Sequence, residues 1–260
     1  MKTLKLWFTF LSFSLSNLVA YRVDLLLRLI GMVWSVGFMI LVLALPYRYT
    51  DTIAGWDQHE IFIVIGMYYL MNGLSWMLFK DGIFRIEDKV KYGLMDTVLL
   101  KPVGSIFMTA FFEVDVSRLA DAVVGVIIIC HQVVVAGISI DPVRLLAVTV
   151  SCVSGLAVVF SLYLSANTLS FWTTEAYIGH VSNPIFTVAK YPVDLWGEKV
   201  AQFFYWVVPI GLMSSVPAGI LVGKLSVEWA IFSVMVSMVW VAGSRLLWGV
   251  ALTKYSGIGS

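Results

Sequence analysis

Long apolar runs separated by short polar stretches make up most of the chain. A helix needs about 20 mostly apolar residues to cross the hydrocarbon core of a membrane. Six runs have that length: Leu25–Leu45, Ile61–Phe79, Leu119–Ile138, Leu145–Leu169, Phe203–Val222 and Trp229–Val250. No internal repeat or low-complexity linker divides them, so residues 1–260 read as one transmembrane domain. The pattern predicts an all-α integral membrane protein.

The first 20 residues follow a different pattern. Lys2, Lys5, Thr9, Ser12 and Ser16 recur every three or four positions, which places them on one narrow stripe of a helix. Phe8, Leu11, Leu15 and Leu18 occupy another face. The basic start, apolar middle and Ala20 also have the layout of a signal peptide. The stripe favours an interfacial helix over residues 1–20, lying in the membrane plane with its lysines at lipid phosphates. Asp24 and Arg28, four apart at the start of the first run, read as an interfacial ion pair.

Composition supports the membrane reading. Of 260 residues, 60% are hydrophobic and 13% charged, and the mean hydropathy is +0.92. A soluble domain carries roughly twice that share of charge. The net charge of +1 gives no reason to expect a nucleic-acid partner. Cys130 and Cys152 both sit in apolar runs and read as packing residues. Lys and Arg set the orientation. With the N-terminus in the cytoplasm, fourteen of the 17 fall inside, leaving Arg48, Arg144 and Lys224 outside. Both termini are therefore expected to be cytoplasmic, with Tyr47, Tyr49 and Trp56 at the outer interface.

The runs lack charge at depth. His131, beside Gln132, is the one titratable group read as lying deep, and packing is the commoner role for such a residue than proton relay. No zinc-protease, paired-aspartate or serine-hydrolase motif is present, and no phosphate-binding loop. The expectation is no catalytic residue and no metal site. The longest cytoplasmic loops, about 30 residues, are too short for a nucleotide-binding domain. Any ATP, with its magnesium, would be used by another chain.

One loop stands apart. "KDGIFRIEDKVKYGLMDTVLLKPVG", Lys80–Gly104, is dense in charge and then amphipathic. Leu94, Met95, Val98, Leu99 and Leu100 offer a helical apolar surface between Gly93 and Pro102, both natural terminators. Such a helix either rests on lipid or docks in a groove of a soluble partner.

At this point a resemblance enters. "GLMDTVLLKPV" (Gly93–Val103) resembles the G-x-x-D-x-x-L-L-x-P element of ABC-2-type transporter permeases. The segments "SFWTTEA" (Ser170–Ala176), "YPVDLW" (Tyr191–Trp196), "VVPIGLMSSVPAGILVG" (Val207–Gly223) and "YSGIGS" (Tyr255–Ser260) are similar to the family's pattern in order and spacing. The likeness is nearest to the six-span exporter subfamily of unknown cargo. Lys254 stands where that family often has Arg.

The resemblance implies an interfacial helix, six spans, and a cytoplasmic coupling helix between spans two and three. That helix would dock on a separate ATPase, two per complex, beside a second permease that is identical or a paralogue. Carried onto this sequence, the coupling element is Gly82–Pro102. Arg85, Asp88 and Asp96 would be at its rim, Leu94, Leu99 and Leu100 in the ATPase groove, and Asp96 a candidate helix cap. In span five, Pro209 and Pro217 with Gly211 and Gly219 read as a broken, re-entrant helix gating the outer mouth, against the alternative of a simple kink. Asn72 and Ser75 could line a translocation path, although helix–helix hydrogen bonding is the commoner role. With no charge at depth, the expected cargo is apolar or amphipathic: a drug, lipid or peptide-like molecule exported across a bacterial inner membrane. A secondary transporter and a non-transporting scaffold remain the alternatives.

Overall fold

The structure, a computed structural model, describes residues 22–173 and 178–255 together with Thr9, Ser12 and Ser14. The interfacial helix expected over residues 1–20 lies, but for those three positions, outside the described residues, as do the side chains of Asp24 and Arg28. Among the described residues the chain is helical without a strand, and five helices are long and apolar enough to cross a membrane.

Helix α1, Arg22–Ala44, ends where Pro46 opens a short 3-10 turn. Most of its side chains are exposed. The following loop tightens at Ala54 (φ 50°) and Gly55 (φ 80°), a left-handed pair that closes Ile53 against Trp56. This turn points Trp56 into the protein, where it is 4% exposed. The expected ring of interfacial aromatics is therefore only partly formed. Tyr49 is exposed, but Tyr47 donates to the Trp56 carbonyl at 3.0 Å.

Helix α2, Gln58–Ser75, starts with a capping box: the Asp57 carboxylate accepts from the Glu60 N–H and the Glu60 carboxylate from the Asp57 N–H, both at 2.8 Å. Twelve of the 18 residues of α2 are buried and none is exposed. Small residues explain this. A Cβ on Gly125 of the later helix α7 would stand 2.4 Å from the Leu70 nitrogen and 2.5 Å from the Gly66 oxygen. One on Gly73 would meet the Ala122 nitrogen at 2.5 Å. The two backbones touch, as small residues permit in membrane bundles.

The second span was expected to end at Phe79. The helical path instead continues through a π-turn, Trp76–Lys80, into α3 (Asp81–Phe84) and α4 (Ile86–Lys91). Next come α5 (Met95–Leu99) and α6 (Ser105–Ala110). Gly82 is required for this packing, because a Cβ there would lie 2.4 Å from the Thr109 carbonyl. Helices α7 (Leu119–Val135) and α8 (Pro142–Thr168) follow as predicted. Asp141 caps α8, accepting from the Arg144 N–H at 2.8 Å.

The remainder departs from expectation. Helix α9 (Ile178–Thr187) is followed by two 3-10 turns, Val188–Lys190 and Val193–Trp196. Asn183, midway along α9, accepts from the Tyr163 hydroxyl at 2.9 Å, and the segment finishes at Trp56, whose indole N–H donates to Asp194 at 3.1 Å. The charge pattern, which counts Lys190 and Lys199 on the cytoplasmic side, expects the residues between the runs 145–169 and 203–222 to stay on the side opposite Trp56. The segment expected to cross once, Phe203–Val222, is a helical hairpin: α10 (Glu198–Trp206), a 3-10 turn (Ile210–Met213) and α11 (Ser215–Val222). Both of its ends are at the Trp56 end. Tyr205 donates to Asp194 at 3.3 Å, and Lys224, just past α11, donates to the Gly55 carbonyl at 2.6 Å. Its middle dips to the centre of α8, where a Cβ on Gly155 would stand 2.3 Å from the Leu212 oxygen. Helix α12, Trp229–Leu252, packs along α8 and closes the fold.

Candidate functional site

Three places gather the residues singled out in the sequence. The first is the end of the bundle opposite Trp56. There α5 packs Met95 and Val98 inward, 0% and 6% exposed, and leaves Leu94, Leu99 and Leu100 outward. Gly93, at φ 67°, makes the turn into this helix. Pro102 lies exposed beyond it. Asp96 does not cap the helix: the N-cap is Leu94, without a side-chain bond, and Asp96 sits in the first turn, where a carboxylate still complements the helix dipole. Asp96 also approaches Tyr255. Burial, and then the Asp96 charge, raise that phenol above its usual range. Arg85 pairs with Glu113, and Lys89 approaches the same carboxylate at 3.9 Å. Asp88 is exposed. The charges thus brace the loop as well as rim it. Trp248 of α12 donates to Ser105 at 3.0 Å and anchors α6 behind them.

The second place is the hairpin at the Trp56 end. Pro209 stands at the break before the 3-10 turn. The other break is at Ser214 (φ −141°, ψ −47°). Pro217 makes no break. It occupies the first turn of α11, where the missing N–H has no partner to lose. Gly211 and Gly219 are buried, each too close to a neighbour for a side chain: Tyr205 and Leu225 at 2.9 Å from the would-be Cβ. Ser214 donates to the Ala189 carbonyl, and the Val193 N–H donates to Ser215 at 3.1 Å. Lys224 adds an ion pair with Glu60 at 3.0 Å.

The third place lies between α1, α2 and the start of α7: a cavity of about 280 Å³. Asn72 lines it; Ser75 does not, because it is fully buried and donates to the Met71 carbonyl at 2.6 Å. Tyr68, Tyr69, Arg118, Asp121 and Lys190 are among the other polar residues that line it, with Ser35 and Ser117. The Lys190 ammonium lies 5.5 Å from the Tyr68 ring centre, and the Arg118 guanidinium 4.9 Å from that of Trp76.

Behind Asn72 is a group that sequence reasoning had assigned to a solvated loop. Lys80 is 1% exposed. Its ammonium donates to the Asn72 carbonyl oxygen at 2.9 Å and lies 5.0 Å from Trp76, 4.5 Å from Tyr163 and 6.0 Å from Phe186. A desolvated cation gains most from aromatic faces. His131, expected to be the deep titratable group, is exposed near the end of α7, beside Gln132, which bonds His59 at 2.8 Å. Lys80 adjoins the apolar run directly and follows Trp76 by one turn, a signal visible in sequence. Its other partners, Tyr163 and Phe186, are too remote in the chain to have been read.

A protein-family model described as ABC-2 family transporter protein matches residues 32–259. No curated protein and no solved structure matches the chain.

Proposed function

Because this chain belongs to the ABC-2 family of transporter proteins, a multi-pass membrane subunit of an ABC transporter that works with an ATPase subunit, we propose that it is an exporter's permease, driven through the segment Leu94–Leu100. The observation that carries this reading is the exposed apolar tip. Leu94, Leu99 and Leu100 project from a loop crowded with Arg85, Asp88, Lys91 and Lys101. Charge at such density keeps the tip out of hydrocarbon, and an apolar patch in water calls for a protein groove. ATP and magnesium would be held by two ATPases, and their closure would move α5 against α6 and α12. A second permease, identical or related, would complete the complex.

Six crossings bring both termini to one side: α1, α2, α7, α8, the Ile178–Trp196 segment and α12. The charge bias still supports a cytoplasmic face at the Leu100 end of the inner membrane. Moving Lys199 across and setting Lys190 aside within the fifth crossing leaves twelve Lys and Arg against four. The hairpin from Glu198 to Val222 then caps the outer mouth. In such a complex ATP supplies the driving force, and neither Lys80 nor His131 need carry a coupling ion. The cavity beside Asn72 is the proposed start of the cargo path.

Affinity purification of the full chain from its native membrane tests this. The expected result is an ATPase with a phosphate-binding loop, identified by mass spectrometry, at one per permease and with vanadate-sensitive ATP hydrolysis. A chain that purifies alone under conditions preserving membrane complexes would contradict it.

A further inference from the structure

The cavity beside Asn72 has a chemical preference. Lys80 has only donors, so the Asn72 atom facing it at 2.9 Å is the carbonyl oxygen, and the amide NH₂ is turned away from it. Among the described residues no protein acceptor meets that NH₂, and Asn72 lines the cavity. Lys190 lines it as well. Apart from the Tyr68 ring, its ammonium has no hydrogen-bond or ion-pair partner among the described residues. The Arg118 Nε lies 3.4 Å from an Asp115 carboxylate oxygen as an ion pair, and the guanidinium stacks on Trp76, leaving the rest of its fork. Against these donors the lining has one carboxylate, Asp121. On the α1 side the wall is formed by Leu29, Met32 and Ser35, and the neighbouring α1 side chains Leu26, Ile30 and Val33 are exposed.

We propose that this cavity takes the anionic headgroup of an amphipathic molecule, a phosphate or carboxylate held by Lys190, Arg118 and the Asn72 amide, with its hydrocarbon tail along α1. A donor-lined pocket holds oxyanions through charge-assisted hydrogen bonds. A volume of about 280 Å³ accommodates a headgroup and not a whole lipid. That the ligand is cargo rests on the transporter reading above; that it binds does not.

The test is equilibrium binding of radiolabelled lysophosphatidic acid to the full chain in phosphatidylcholine nanodiscs, without ATP or ATPase. Saturable binding is expected, competed by unlabelled lysophosphatidic acid and not by lysophosphatidylcholine or inorganic phosphate. Lys190→Gln should weaken it about tenfold or more, the worth of one charge-assisted bond. Asn72→Asp keeps an acceptor for Lys80 but replaces the amide donor with anionic oxygen. It should lower affinity at least as much while leaving the protein monodisperse, which a purely structural Asn72 would not predict. Equal competition by lysophosphatidylcholine would overturn the preference for an anion. Equal competition by inorganic phosphate would overturn the amphiphile. Wild-type binding by both variants would overturn the site. Because no nucleotide or partner is present, failure here is distinct from failure of the ATPase copurification.

Discussion

Two short segments marked by glycine and proline, one at each end of the bundle, use the same ingredients to opposite ends. In the hairpin, Ile210, Leu212 and Met213 are all 0% exposed, and the polar groups at its breaks are bonded to neighbours. At the tip, Leu100 is 86% exposed, Leu94 49% and Leu99 41%. Residues 209–221 of the hairpin finish their contacts within the chain, while Phe203, Trp206 and Val207 on its first arm are exposed. The tip buries Met95 and Val98 and presents the rest. An apolar side chain buried against its own fold is a stability element. One left exposed among charges is an offer to a partner.

The sharpest way to break this contrast is to place one charge at each end. Leu212→Asp buries an unpaired carboxylate and should cost on the order of 4 kcal/mol or more. The expected outcome is loss of the monodisperse peak in size-exclusion chromatography. Leu100→Asp should leave that peak unchanged. If both variants behave alike, the two ends do not differ as described.

A smaller effect follows from glycine. Gly155→Val forces a side chain against the Leu212 carbonyl and should cost about 1–3 kcal/mol, read as a lower melting temperature in detergent. Gly104, beside the tip, has nothing within 4 Å of where a Cβ would stand. Gly104→Ala there should change stability by less than about 0.5 kcal/mol. Between these two lies Ser214→Ala. It removes the bond to the Ala189 carbonyl and leaves that acceptor buried, about 1–2 kcal/mol by the same thermal measurement.

The sequence showed most of the bundle because lipid-facing helices announce themselves by composition. Helices α1, α2, α7, α8 and α12 all lie within or across the predicted runs. The segment 178–196, proposed above as the fifth crossing, was illegible for the same reason. Pro184, Lys190, Pro192 and Asp194 interrupt residues 178–196, and no window of that segment is apolar enough to mark a span. The 203–222 run was apolar enough, but a hairpin whose residues 209–221 are buried inside protein satisfies an apolar run as well as lipid does. Composition cannot separate the two; the contacts of Asp194 and Lys224 do. Asn72 was visible because an amide in an apolar run needs a partner. Ser75, three residues on, met its need locally through the Met71 carbonyl. Lys80 was misread because a lysine at the end of an apolar run looks like the start of a loop. Its burial depends on Tyr163 and Phe186, brought near by the fold alone.

The central claim is that the exposed tip is where force enters. The most direct measurement is ATPase copurification with the double variant Leu99→Asp, Leu100→Asp. Burying those carboxylates in a partner's groove without counter-charge costs several kcal/mol of binding. The variant should insert and fold like the wild type, since both side chains are exposed, and should lose the ATPase and, with it, transport. Retention of the ATPase at wild-type stoichiometry, with transport intact, would show that this tip is not the coupling contact.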